Sequence, residues 1–325
     1  MQADERRSVL RSQGRRRFIT AQVPKRTWKA PIVRGKHYAA AAMLMLVTAV
    51  AVLVWVVTRP PMTYGTLLAR VTLPGNGECS VGGTFNGTDY LTIKSGCFSD
   101  TLQVYRPPVG DGDATLVSIK KMYDPVSDKP VNISAVAWDT KRKMLWGAMA
   151  NGVYLIDPSE GARVQATLQF RPDVGGSYIV DGLAYDSADD SLYYVPDSNP
   201  NVYHFSLGTD GRPMGTLLNI VRPKDEDGQS ESDISGVVVG SDDTLYIGRN
   251  KGSGARIVRI HKVSGKFISD FATTFERVED LTCDSTTHAS LGVEAILAKD
   301  AFNALYEAFE VELGTCGPLD SEYEG

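Results

Sequence analysis

Val180-Asp181-Gly182-Leu183-Ala184-Tyr185-Asp186 reads as an apolar residue, a polar one, a small one, an alternating run and a closing aspartate. The same order returns in Ile133-Ser134-Ala135-Val136-Ala137-Trp138-Asp139, Ile234-Ser235-Gly236-Val237-Val238-Val239-Gly240 and Val278-Glu279-Asp280-Leu281-Thr282-Cys283-Asp284. A weaker copy is Ser80-Val81-Gly82-Gly83-Thr84-Phe85-Asn86. The small or acidic anchors Gly82, Ala135, Gly182, Gly236 and Asp280 lie 53, 47, 54 and 44 residues apart. Behind each anchor comes a second apolar run, such as Leu192-Tyr193-Tyr194-Val195 or Leu245-Tyr246-Ile247, and then a third. Alternation with period two, rich in Tyr, Val and Ile, predicts strands. Clusters such as Asp189-Asp190 and Gly208-Thr209-Asp210-Gly211 predict the turns between them.

Three or four short strands returning about every 50 residues predict a β-propeller. One such sheet cannot bury both its faces, but sheets packed around an axis bury each other. Paired-helix solenoids have similar spacings; the density of Gly, Asp and β-formers argues against them. The ends suggest how the ring closes. Gly65-Thr66-Leu67-Leu68-Ala69-Arg70-Val71 resembles Gly215-Thr216-Leu217-Leu218-Asn219-Ile220-Val221, which stands where a fourth, outermost strand belongs. The last repeat runs out of chain soon after its third strand. A strand from the N-terminal side would complete it and hide an open edge. The expected architecture is all-β with five blades, or six if a degenerate unit lies in the loose first stretch.

Asp181-Gly182-Leu183-Ala184-Tyr185, Leu192-Tyr193, Asp197-Ser198 and Val202-Tyr203 together resemble blades of the NHL and gluconolactonase-like propeller superfamily. The resemblance covers roughly residues 64–325 and is clearest over 134–265. It implies metal ligands at Asp181 and Asp197, Ca²⁺ as a possible cofactor, and hydrolysis of a lactone. The family's acidic ligand in the first blade has no counterpart, because Ser80-Val81-Gly82 stands there. Ser134 and Ser235 fill the matching places in other blades.

Outside the repeats, Tyr38–Thr58 is a run without charge, Gly or Pro. As a helix it spans roughly 30 Å, the thickness of a bilayer's hydrocarbon core. Tyr38 and Trp55 near its ends suit the interface, and Arg59-Pro60-Pro61 stops it. A cleaved signal peptide is the competing reading, but the run is long for one and no small-x-small site follows. Arg15-Arg16-Arg17-Phe18-Ile19 resembles a twin-arginine signal, yet the apolar run starts some twenty residues later. The expected organisation is a basic cytoplasmic tail over 1–37, a signal-anchor helix over 38–58, a linker over 59–63 and an exported domain over 64–325. Residues 1–37 carry eleven Lys/Arg against two Asp/Glu, which predicts a cytoplasmic N-terminus. The remaining 23 basic and 37 acidic side chains give the rest a net charge of −14. That balance excludes a phosphate-backbone binder and leaves membrane lipid, a protein or a glycan as partners.

Cys79, Cys97, Cys283 and Cys316 all follow the apolar run. An even number in an exported domain predicts disulfides; three pairings are open, and the preferred one joins Cys79–Cys97, which staples the first repeat, and Cys283–Cys316, which ties the end of the chain to the last blade. No Gly-x-Ser-x-Gly, phosphate loop or His-Glu-x-x-His occurs. His204 and His261 fall in third-strand runs, where packing or solvent exposure is expected. Asp225-Glu226-Asp227-Gly228 lacks the first ligand of a calcium loop. The candidate chemistry rests on carboxylates at inner-strand starts, where Asp181 and Glu279 share one repeat position near Asp233 and Asp280. In a propeller these starts ring the channel mouth, and convergent carboxylates there suit Ca²⁺ or an acid/base pair on a glycoside. The expected function is a membrane-anchored, extracytoplasmic module that binds a protein or glycan. A Ca²⁺-dependent hydrolase and a five-bladed carbohydrate-active enzyme are the alternatives.

Overall fold

The computed structural model describes residues 43–48 and 64–317, except 78, 95, 125, 150–151, 160–163, 171–178, 208–212, 242 and 253. For 164–170 and 213–215 it describes the backbone alone. The chain divides into two compact units, Met1–Met62 and Thr63–Gly325. In the first, residues 43–48 are helical. Among the described residues no helix is long and apolar enough to cross a membrane. The tail, the linker and most of the expected 38–58 span lie outside the described residues.

The second unit is a propeller of five sheets, antiparallel but for the short strand Gly112–Asp113, which pairs parallel with Leu67–Thr72 at the rim of the last blade. From the axis outward, blade 1 is Gly83–Phe85, Tyr90–Ile93, Thr101–Arg106 and Thr115–Lys121. Blade 2 is Ala135–Asp139, Met144–Met149, Gly152–Ile156 and Val164–Phe170. Blade 3 is Val180–Asp186, Ser191–Pro196, Val202–Leu207 and Pro213–Val221. Blade 4 is Ile234–Gly240, Thr244–Arg249, Arg256–His261 and Phe267–Ala272. Blade 5 takes Val278–Asp284, Glu294–Asp300 and Leu305–Val311 from the end of the chain, and Leu67–Thr72 from its near side. That last strand pairs antiparallel with Leu305–Val311, with Arg70 opposite Glu307 and Val71 opposite Tyr306. Arg70 also holds the fully buried carboxylate of Glu307 at 3.0 Å. The ring is therefore closed by the N-terminal strand, and among the described residues it has five blades.

Five apolar clusters form the core, one between each pair of neighbouring blades. Leu91, Ile93, Val136 and Leu145 join blades 1 and 2. Trp146, Val153, Leu183 and Tyr194 join blades 2 and 3. Val195, Val202, Val237 and Leu245 join blades 3 and 4, and Tyr246, Ile257, Leu281 and Ile296 join blades 4 and 5. Phe85, Tyr90, Leu297 and Tyr306 seal the junction of the last blade with the first. Inner strands are buried along almost their whole length, whereas Thr115–Lys121 and Phe267–Ala272 at the rim are largely exposed. Stability thus comes from sheet-on-sheet burial repeated around the axis.

The aspartate that closes the repeat has a local task. Asp139, Asp186 and Asp284 are buried and accept backbone N–H groups of the following turn, from Arg142, Ala188 and both Thr286 and Thr287. Asn86 does the same for Thr88 and Asp89 in blade 1. Each carboxylate takes a further donor: Trp146 Nε1 for Asp139, Lys262 for Asp186 and the Tyr90 hydroxyl for Asp284. A repeat element visible in the sequence is therefore a turn cap rather than a site. Both disulfides, Cys79–Cys97 and Cys283–Cys316, are formed.

Candidate functional site

Three inner strands slip register near their starts: between Val180 and Gly182, between Ser235 and Val237, and between Val278 and Asp280. Each slip leaves one residue out of the ladder, namely Asp181, Gly236 and Glu279. Such bulges bend the strand and re-aim a side chain. Gly236 has φ +61, and a Cβ there would lie 2.8 Å from the Asp280 backbone. A Cβ on Gly182 would lie 2.7 Å from the Gly236 backbone. Glycine at these two positions lets the inner strands approach the axis.

Asp181 belongs to blade 3 and Glu279 to blade 5, which are not neighbours, yet both reach one arginine. Arg277 precedes the blade 5 inner strand. Its Nε lies 2.6 Å from Glu279 Oε1, its Nη1 3.2 Å from Asp233 Oδ1 and its Nη2 3.5 Å from Asp181 Oδ2. A partner common to blades 3, 4 and 5 must sit at the channel mouth. Asp181 and Glu279 are 3% and 7% exposed, while Asp233 is open to solvent. Asp181 Oδ2 is buried and accepts no hydrogen bond. Burial, followed by the charges of Glu279 and Asp197, pushes the Asp181 carboxyl up to about 8, with Arg277 pulling the other way. Burial also raises Glu279, against the pull of Arg277.

Deeper in, Asp280 is fully buried and spans the closure of the ring. It accepts from Gly83 N of blade 1 at 2.9 Å and from Leu281 N at 2.8 Å. Lys299, on the second strand of blade 5, is also fully buried, and its Nζ makes no hydrogen bond. Burial brings the Lys299 ammonium down to about 8, while Asp280, Asp300 and Glu279 hold it up. At the opposite end of the inner strands, a cavity of about 90 Å³ is lined by Thr84, Trp138, Tyr185, Val239, Thr282 and Cys316, among others.

The structure thus brings Asp181, Glu279, Asp233 and Asp280 together, as their repeat positions led one to expect. Asp197 follows the second strand of blade 3 and is partly exposed; its charge is felt by both Asp181 and Glu279. Ser134 and Ser235 are staples between blades. Ser134 Oγ accepts from Val180 N at 2.9 Å, and Ser235 Oγ donates to Val278 O. His204 packs flat on Tyr193 with ring centroids 4.1 Å apart and meets Ser191 Oγ through Nε2 at 2.6 Å. Asp189 approaches that same nitrogen at 3.5 Å, so the three do not form a relay through both ring nitrogens. His261 is exposed, and Glu226 and Asp227 lie in an exposed turn.

Sequence reasoning overlooked Arg277 and Lys299. The signal for Arg277 was a lone base two residues before Glu279. For Lys299 it was a charge continuing the apolar run Ala295-Ile296-Leu297-Ala298. Arg277 also bears on calcium. Its N–H groups face the oxygens that a Ca²⁺ ion would need, and among the described residues no group of three or more His, Cys, Asp or Glu is arranged to hold a metal. The donor set does not fit a cation cage of six to eight oxygens.

The fold and site define the class: a five-bladed β-propeller with a bulge-built, carboxylate-rich channel mouth. No protein-family model matches the chain, and no curated protein matches it. Among solved structures it is similar to the glutaminyl cyclase of Myxococcus xanthus, at 13% identity and a TM-score of 0.50, over 78% of this chain and 97% of that one. A luciferin-regenerating enzyme aligns at 10% identity and a TM-score of 0.45, over 75% of this chain and 95% of that one. A putative gluconolactonase aligns at 12% identity and a TM-score of 0.45, over 71% and 73%. At such identities the likeness is one of fold alone, the β-propeller.

Proposed function

We propose that this chain is a membrane-anchored, extracytoplasmic propeller that binds a protein or glycan partner at its channel mouth. The observation that carries the reading is the convergence at the mouth of Asp181 and Glu279, each bulged out of its strand, with the exposed Asp233 around Arg277. The anchor is supported by the uncharged run Tyr38–Thr58 behind a strongly basic tail. The two disulfides suit an oxidising compartment beyond the membrane.

Two measurements test this. Protease added outside intact cells should digest the propeller and spare the N-terminal tail; the reverse pattern would refute the topology. A photo-crosslinking residue at Asp233, on the mouth, should give a discrete adduct that the same residue at the exposed Val126 does not. Equal labelling from both positions would refute the site.

One observation favours an enzymatic second reading. A carboxyl raised to about 8 stays protonated at neutral pH and is suited to act as a general acid. Turnover of lactones or aryl glycosides that disappears in Asp181→Asn would replace the binding reading with this one.

A further inference from the structure

We propose that the cavity of about 90 Å³ at the far end of the channel is a second binding site, which takes a small uncharged molecule through a primary carboxamide group. The fifth and sixth residues of all five inner-strand repeats line it. Where the fifth residue is threonine, it staples its blade to the next. Thr282 Oγ1 of blade 5 accepts from Phe85 N of blade 1 at 3.1 Å, and Thr84 Oγ1 of blade 1 accepts from Trp138 N of blade 2 at 3.0 Å. The fifth residues of blades 2, 3 and 4 are Ala137, Ala184 and Val238, which have no hydroxyl. The N–H groups that they face by repeat position, those of Tyr185, Val239 and Cys283, go without the staple. Tyr185 pairs with Leu192, Val239 with Leu245 and Cys283 with Ile296, in the register that sets Trp138 against Leu145. A residue in such a non-hydrogen-bonded pair turns both its N–H and its C=O away from the partner strand, here toward the axis. Among the described residues nothing accepts from these three N–H groups.

Three strand edges thus reach the cavity with no ladder to join. Each calls for one group that accepts from an N–H and donates to a C=O. A primary carboxamide does both in one plane, whereas an ester only accepts and an ammonium only donates. A hydroxyl does both through a single atom and does not span the N–H and C=O of one residue. No Asp, Glu, Lys, Arg or His lines the cavity, so an ion would lose its hydration there without a countercharge. Leu183, Leu281 and the Trp138 side chain suit a short apolar body. A cavity of about 150 Å³ admits benzene, so one of about 90 Å³ admits an amide of roughly four carbons, and it is larger than a single water requires.

The test is saturation-transfer NMR with butyramide on the full-length chain in detergent, with the signal from empty micelles subtracted. 1-Butanol, methyl butyrate, butyrate and n-butylammonium are separate probes. Butyramide should bind saturably, and the other four at least fivefold more weakly. Val238→Thr supplies the missing hydroxyl at nearly constant volume, occupies the Cys283 N–H and should weaken butyramide about fivefold, the worth of one hydrogen bond. Adding Ala137→Thr and Ala184→Thr should abolish binding, while the exposed Asp227→Asn leaves it unchanged. Equal binding of methyl butyrate or 1-butanol would overturn the proposal and reduce the cavity to an apolar hollow. An affinity untouched by Val238→Thr would overturn it too, as would the absence of saturable binding by every probe, which leaves the cavity to water. Tighter binding of butyrate would replace the carboxamide with an anion. Near-ultraviolet circular dichroism of Val238→Thr confirms that the single variant, on which the test rests, is folded.

Discussion

Replacing Asp181 by Asn should stabilise the protein, and the size of the effect can be worked from the site. In the folded protein the carboxyl is raised from 3.8 to about 8, by burial and by the charges of Glu279, Asp197 and Asp233, with Arg277 opposing. A raised value means that the folded state holds the proton more tightly than the unfolded one. The stability tied to that proton is complete below about pH 4 and is lost as the pH climbs toward 8. At pH 7 the ionised chain has given up about three units, or roughly 4 kcal/mol at about 1.4 kcal/mol per unit. Asn keeps the shape without titrating. The pull of Arg277 is already part of that raised value and is not subtracted again. The gain at pH 7 is therefore about 4 kcal/mol, which for a domain of this size raises the Tm by roughly 10 °C. At pH 4 the two proteins should melt together. Thermal unfolding of the full chain in detergent, followed by near-ultraviolet circular dichroism from pH 4 to 8, gives both curves. Curves that run parallel, or a variant less stable at pH 7, would refute the reasoning and make Asp181 a structural carboxylate.

Asp139→Ala strands the buried donors of Arg142 and Trp146 and should cost about 4 kcal/mol, measured by urea unfolding. Gly236→Ala puts a Cβ at φ +61 and 2.8 Å from the Asp280 backbone; a loss of about 3 kcal/mol is expected, against well under 1 kcal/mol for a glycine that is free to change. Opening Cys283–Cys316, which closes a loop with a sequence separation of 33, should lower stability by about 3–4 kcal/mol in the chain-entropy model, read as a shift in urea midpoint between Cys316→Ser and wild type. Val71→Pro removes a backbone donor from the strand that completes blade 5, and protease should then cut within residues 64–73 while blades 2 to 4 stay resistant.

Much of this protein was legible because its information is local. The short apolar runs Leu192–Val195 and Leu245–Ile247 are decided within a few residues, and so is the turn-capping aspartate at 139, 186 and 284. The fourth-strand likeness between Gly65–Val71 and Gly215–Val221 was enough to place the closing strand. The preferred cysteine pairing, one bridge stapling the first repeat and one the last, is the one formed; Cys79 and Cys97 flank one hairpin of blade 1. The shared repeat position of Asp181 and Glu279 already set them at one end of the ring. What the sequence by itself determined, then, is a closed ring of five or six blades and the residues offered to its mouth.

Only the tertiary structure decided what those residues do. Nothing within a strand announces that Asp181 and Glu279 are bulged out of their ladders, because a bulge depends on the pairing strand and on how closely the next blade approaches Gly182 and Gly236. Nor does any local pattern bring Arg277 to Asp181, or bury Lys299 beside Asp280. Those meetings join segments far apart in the chain. They exist only once sheets that cannot shield themselves have closed into a circle, so the charge balance at the mouth is a property of the ring.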